Sequence, residues 1–136
     1  YGAAGVICPI MDARRNQVYT GIYTFTDGRM QIVEDQIAAD IRQVIERLNE
    51  LGQPVTFCGD GVCVYQEQIK AQMQIPVYFA PAHLNRQRAG AVAALAMEYL
   101  KEGRAQTAAE HKPDYLRVSQ AERERQERLK REAGLL

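Results

Sequence analysis

Asp12 closes a short apolar run and is followed by Ala13, Arg14 and Arg15 before the chain turns polar at Asn16 and Gln17. A carboxylate at the end of a strand can hold a metal, move a proton or accept backbone N–H bonds in a turn. Two adjacent guanidinium forks on the same turn could bind phosphate or carboxylate bidentately. The other reading of Arg14 and Arg15 is a solvated turn with one side chain folded back on the sheet. A second candidate is Gly59-Asp60-Gly61, between the apolar Val55 to Cys58 and a helical pattern. Strand, glycine, helix is the setting in which backbone N–H groups approach a ligand. One short glycine pair is a weak signal, and a plain strand-to-helix turn is the preferred reading.

Other chemistry finds less support. His83 and His111 have no partner at metal-ligand spacing, and no H-E-x-x-H or H-x-x-x-H occurs. Cys8, Cys58 and Cys63 are odd in number and without repeated spacing, which argues against a disulfide framework and for free thiols in a reducing cytosol. No apolar run approaches the ~20 residues of a membrane span. Lys plus Arg and Asp plus Glu balance at 17 each, so the chain has no broad electrostatic pull on nucleic acid. Tyr115-Leu116-Arg117, leaving Pro113, reads as a docking segment, with an interaction surface as the alternative.

These residues need elements to place them. The length, 136 residues, suits one core. The chain opens at Tyr1, which predicts a fragment or a processed product. Val6 to Met11 reads as a strand covered on both faces, with Pro9 pointing to an edge or a bulge. Gln17 to Phe25 is the clearest strand: Val18, Thr20, Ile22 and Thr24 on one face, Tyr19, Gly21, Tyr23 and Phe25 on the other. Asp27-Gly28 signals a hairpin. Met30 to Asp35 is a third, more exposed strand. Asp40 caps an amphipathic helix whose Ile41, Val44, Ile45, Leu48 and Leu51 share a face, and Gly52 stops it. Val55 to Cys58 is a fourth strand. A short helix with Tyr65, Ile69 and Met73 follows, then a fifth strand over Pro76 to Ala80. Arg86 to Glu102, capped by Asn85, has almost no polar face and predicts a deeply buried helix, its Gly90 close to a neighbouring backbone. Ser119 and Glu122 have capping-box spacing for a last, highly charged helix.

The order is βββαβαβα plus a C-terminal helix, an α/β mixed sheet of about five strands. That is the ribonuclease-H-like unit of an actin-like lobe. The expected domains are a lobe at 1–118 and a charged tail at 119–136.

Two strings carry a family resemblance: Met11-Asp12-Ala13-Arg14-Arg15-Asn16-Gln17-Val18-Tyr19 and Pro113-Asp114-Tyr115-Leu116-Arg117-Val118-Ser119-Gln120-Ala121-Glu122. Together they resemble the second lobe of the TsaB family of tRNA threonylcarbamoyladenosine biosynthesis proteins, inactive paralogues in the actin-like ATPase superfamily. The family pattern (L/I)xDARR-x-x-VY maps onto Asp12, Arg14, Arg15 and Tyr19. The pattern P-x-YLR-x-x-x-AE maps onto Tyr115, Leu116 and Arg117. The resemblance implies a non-catalytic, cytoplasmic scaffold that pairs with a catalytic paralogue, TsaD, and a small ATPase, TsaE. It implies only indirect contact with tRNA, and it leaves a homodimer open. In active superfamily members an Asp at the turn of Asp12 is followed by Gly and lies near phosphate and metal. Here Ala13 follows, which points to a turn-forming Asp12. The catalytic paralogue holds metal through a His pair on a helix, and nothing here matches that pair. By the same resemblance Gly59, Asp60 and Gly61 would be a vestigial nucleotide-facing turn, and ATP would belong only to the full assembly. Two other readings are a nucleotide-binding lobe of an actin-like enzyme, using Asp12 and Gly59 to Gly61, and a free-standing module using the tail after Ser119.

Overall fold

The computed structural model describes residues 5–116, together with 125, 128, 129 and 131. The elements are β1 (Val6–Asp12), β2 (Gln17–Thr26), β3 (Arg29–Asp40), α1 (Ile41–Leu51), β4 (Val55–Cys58), α2 (Val62–Gln72), β5 (Val77–Phe79), a 3₁₀ turn (Ala82–Leu84) and α3 (Ala89–Lys101). The strands form one sheet in the order β3-β2-β1-β4-β5. The first three make an antiparallel meander, while β1/β4 and β4/β5 are parallel because each is reached through a helix. This is the expected ribonuclease-H-like arrangement.

The pleat sorts the side chains. Val6, Cys8 and Ile10 of β1, Val18 and Ile22 of β2, and Val55 and Phe57 of β4 point to one face and are buried. There they meet Ile41, Val44, Ile45 and Leu48 of α1 and Val62, Tyr65 and Ile69 of α2. The α1 residues recur at three and four, so one stripe faces the sheet. Asp40 caps this helix by accepting the Arg42 N–H at 2.9 Å, and Gly52, at φ 68°, closes it with its N–H on the Leu48 carbonyl. A bond from the Arg42 guanidinium is the main reason the Asp40 carboxyl titrates below its ordinary range. Asp27 and Gly28, both at positive φ, make the β2–β3 hairpin.

Four expectations need correction. Pro9 lies in the central strand and not at an edge. The antiparallel ladder passes from Ile7 opposite Tyr23 to Ile10 opposite Thr20, so the missing N–H of Pro9 is tolerated. Strand β3 runs on to Asp40 instead of ending at Asp35. Its register against β2 shifts by one residue twice, around Ile22, and the bulges break the apolar alternation that would have marked it. Asn85 does not cap α3: it ends the 3₁₀ turn, and α3 starts at Ala89 after Arg88, which makes no side-chain cap bond. Finally, α3 is not deeply buried. None of its residues is buried, and a Cβ on Gly90 would meet nothing within 4 Å. The helix does end at Gly103, at φ 72°, as its sequence implies. Of the last expected helix, 125, 128, 129 and 131 are helical, while Ser119 and Glu122 lie outside the described residues.

Candidate functional site: the turn at Asp12

The sheet places Asp12, at the end of β1, beside Gly59-Asp60-Gly61, at the end of β4, because the two strands are parallel neighbours. The nucleotide-binding alternative groups these two segments, and the adjacent strand ends bring them together. The Asp12 N–H donates to Asp60 Oδ1 at 3.1 Å. Asp12 Oδ1 accepts the Arg14 N–H at 2.9 Å and the Tyr65 hydroxyl at 3.1 Å. Tyr65 comes from α2 and is itself buried, so the phenol ties the helix to the turn. Burial first, and then the Asp12 carboxylate, push its pKa above the ordinary tyrosine value. The role of Tyr65 was not visible in the sequence, where its position in a helical repeat marks it only as core.

The turn itself is strained. Arg14, Arg15 and Asn16 stand in succession at φ 64°, 55° and 59°. Left-handed backbone costs a non-glycine residue roughly 1–2 kcal/mol. The surrounding bonds hold it there: Ala13 N–H to the Gln17 carbonyl at 2.9 Å, Gln17 N–H to Arg14 at 3.0 Å, and Ile41 N–H, the first of α1, to Asn16 at 2.9 Å. Arg14 projects into solvent, its side chain 87% exposed, with Nε 3.9 Å from Asp12 Oδ2. Arg15 is exposed as well. Tyr19 is half-buried on β2, opposite Met11 and Ala38.

The glycines of the second candidate answer to packing. A Cβ on Gly59 would lie 2.2 Å from the Ile10 carbonyl oxygen, and φ at this residue is 101°. A Cβ on Gly61 would lie 2.9 Å from the same oxygen, to which the Gly61 N–H already donates at 3.0 Å. Both glycines thus let the loop close on β1. A phosphate cradle needs free N–H groups and open space. The Gly61 N–H is spent on Ile10, and the Asp60 carboxylate is spent on Asp12. The residues here do not fit a bound triphosphate. They do not fit a metal either: among the described residues no group of three or more His, Cys, Asp or Glu side chains is placed to hold one.

The remaining candidates stand apart from this turn. Tyr115 is 82% exposed and Leu116 half-buried, while Arg117 lies outside the described residues. The thiols divide by depth: Cys8 buried, Cys58 intermediate, Cys63 exposed, all free. Burial pushes the Cys8 thiol up to about 12, against a bond to the Thr20 hydroxyl that acts the other way. A cavity of about 220 Å³ opens elsewhere, where the β2–β3 bulge meets α1, lined by Ile22, Ile37, Ala39 and Val44. The Arg47–Glu34 ion pair lines it too. No helix among the described residues is long and apolar enough to cross a membrane.

Comparison with known proteins places the chain in a family. The family model for TsaD, tRNA N6-adenosine threonylcarbamoyltransferase, matches residues 2–125. Over 119 residues the chain is 34% identical to the tRNA threonylcarbamoyladenosine biosynthesis protein TsaB of Bacillus subtilis (strain 168), which covers 87% of this chain and 50% of that protein. Two solved structures from Pseudomonas aeruginosa share its fold at 24% identity. One, an uncharacterized protein with similarity to peptidase YEAZ, gives a TM-score of 0.65 over 84% of this chain and 50% of its own. The other, YeaZ, gives 0.60 over 82% and 50%. The chain therefore spans about half the length of the relatives it matches.

Proposed function

The chain belongs to the family of TsaD, tRNA N6-adenosine threonylcarbamoyltransferase, and is TsaB-like within it; from that premise we propose that it serves threonylcarbamoyladenosine modification of tRNA as a non-catalytic scaffold lobe. One observation carries the reading. The group best placed for catalysis, the Asp12 carboxylate, is engaged by the Arg14 N–H and the Tyr65 hydroxyl, and the adjacent glycines are closed on Ile10. Two bonds on Oδ1 make the carboxylate a structural acceptor that organises the turn.

By resemblance the partners are the catalytic paralogue TsaD and the small ATPase TsaE. Transfer onto tRNA would occur on the paralogue, and this lobe would touch tRNA only indirectly, in the cytoplasm. Arg14 and Arg15, held outward by the left-handed turn, and Tyr115, the most exposed large apolar side chain among the described residues, are the first residues we assign to a partner surface. Leu116 and Arg117 continue the second stretch. Residues 119–136 would form a charged tail distinct from the lobe at 1–118.

A second reading has one observation in its favour. Asp12, Gly59 and Asp60 lie at the carboxyl ends of adjacent parallel strands, where open α/β sheets bind ligands. This would make the chain a nucleotide-binding lobe. Calorimetry of the chain against ATP with magnesium separates the two. The scaffold reading expects no measurable heat of binding and no modification of tRNA by the chain alone. Micromolar affinity for ATP, abolished by Asp60→Ala, would overturn it.

A further inference from the structure

The bulge in strand β3 opens a cavity onto α1. Thr20 stands opposite Ile37 and Ile22 opposite Glu34, so Asp35 and Gln36 together face Gly21 alone. An extra residue of this kind leaves the ladder locally unpaired and re-aims side chains, and bulges recur beside active sites. The cavity measures about 220 Å³. Ile22 and Val44, both buried, form its floor, with Ala39 and Ile37 as its wall. Its rim is charged: Asp35 from the bulge, and Arg47 from α1 in an ion pair with Glu34. Arg47 gives Nε to Glu34 and Nη1 to Glu50, which leaves Nη2 outside both bonds. Asp35 accepts the Gln36 N–H on Oδ1, which leaves Oδ2 outside that bond. One cationic donor and one carboxylate acceptor therefore flank a single apolar hollow.

We propose that this cavity is a binding site for a small zwitterion with an aliphatic side chain, of the class of the free branched-chain α-amino acids. The side chain enters against Ile22 and Val44, the α-ammonium donates to Asp35 Oδ2, and the α-carboxylate accepts from Arg47 Nη2. The volume sets the size: pockets for drug-sized molecules begin at about 300 Å³, so this one takes a smaller guest and excludes a nucleotide. The floor sets the side chain. Water over Ile22 and Val44 lacks the roughly two to four polar partners that would hold it, and an aliphatic group displaces it with a gain in free energy. The rim sets the head group. A guest with one charge uses one partner and leaves the other unanswered, whereas a zwitterion meets both through charge-assisted hydrogen bonds. The site shares no residue with the Asp12 turn, so it stands or falls apart from the scaffold reading.

Amide-resolved NMR titration of this chain with L-leucine provides the test. Saturable shifts are expected at Gly21, Ile22, Asp35, Ile37 and Val44. Glycine has the head group without the side chain, isoamylamine lacks the carboxylate, and isocaproate lacks the ammonium. Each should bind more weakly than leucine by about tenfold or more, the worth of one charge-assisted hydrogen bond or one buried branched side chain. Asp35→Asn keeps the shape of an exposed side chain and should weaken leucine by a similar factor, with an unchanged melting temperature. Ile37→Phe, at a wall position 46% exposed, should narrow the cavity and weaken leucine as well. No saturable shift at millimolar leucine, or shifts that leave these residues out, would overturn the proposal. Equal binding of isoamylamine or isocaproate would overturn the zwitterion class. Undiminished binding by Asp35→Asn would remove its ammonium site, and undiminished binding by Ile37→Phe would move leucine out of the cavity.

Discussion

The two faces of the sheet are built from the same strands and end in opposite conditions. Under α1 and α2, alternate residues of β1, β2 and β4 are sealed, with Val6, Cys8, Ile10, Val18, Val55 and Phe57 wholly inaccessible. On the other face Met11 and Tyr78 are open, and α3 contributes no buried residue. The difference does not come from hydrophobicity, because α3 is the least polar helix of the described residues. It comes from packing: α1 and α2 lay apolar stripes on the sheet, whereas α3 is apolar on more sides than the described residues cover. Stability should therefore reside in one face and association in the other.

The largest effect that contrast predicts is at Phe57. Its ring is fully buried and stacks on Phe79 with centroids 6.0 Å apart. Phe57→Ala should cost about 3–5 kcal/mol in urea unfolding, as large-to-small core changes do. Tyr78→Ala, one strand over on the open face, should cost under about 1 kcal/mol. Comparable losses at the two sites would erase the distinction. Gly59→Ala should come next, at about 3 kcal/mol, because a Cβ there meets backbone and the left-handed φ adds strain. A stable Gly59→Ala protein would mean that the loop can lift from Ile10, and the nucleotide reading would gain.

A third prediction uses the thiol in the sealed face. Burial raises the folded-state pKa of Cys8 from 9.0 to about 12. The folded chain keeps that proton where the unfolded chain has released it. The unfolded state then binds fewer protons, so stability is undiminished below pH 9 and falls as pH rises toward 12. The slope from this group is at most about 1.4 kcal/mol per pH unit. Cys8→Ala should flatten the alkaline fall of the urea midpoint, leaving the part due to Tyr23 and Tyr65, whose values are also raised. Identical slopes in both proteins would show Cys8 to be wetter than its position implies.

The sealed face was also the legible one. The apolar spacing of Ile41, Val44, Ile45 and Leu48, the Asp40 cap and the Gly52 stop each state a local rule, and each local rule agrees with the fold. The Asp27-Gly28 turn is of the same kind. Other features failed for physical reasons. Strand β3 outran its expected end because the bulges move its pleat, and a period of two cannot be counted across them. Pro9 suggested an edge because a missing donor can be placed there, yet a central strand tolerates it where the ladder skips a pair. At the Asp12 turn the sequence showed the acid and the arginines. It did not show Tyr65 or Asp60 as partners, because those contacts span 53 and 48 residues and depend on β1 lying beside β4. Helix α3 was misplaced for the opposite reason. Its composition signals burial, but burial needs a cover, and none of its residues is buried by the described part of the chain.

The smallest effect sharpens the comparison most, because its sign depends on that cover. Gly90 sits in the first turn of α3, and a Cβ there would touch nothing within 4 Å. In this chain Gly90→Leu should therefore meet no clash. Leucine favours helix over glycine by up to about 1 kcal/mol in a helix interior, and less in a first turn. The expected result is a stability unchanged or raised by about 0.5 kcal/mol, with more helix by circular dichroism. In an intact relative whose second half covers the helix, a bulky residue at the aligned position would overpack a filled interface, at about 1–3 kcal/mol. Paired melting curves of the two proteins read the difference directly. Opposite signs would place the cover over the first turn of α3. A loss of stability in this chain as well would mean that Gly90 already lies against a neighbour here, and that the open face is closed at that point by the chain itself.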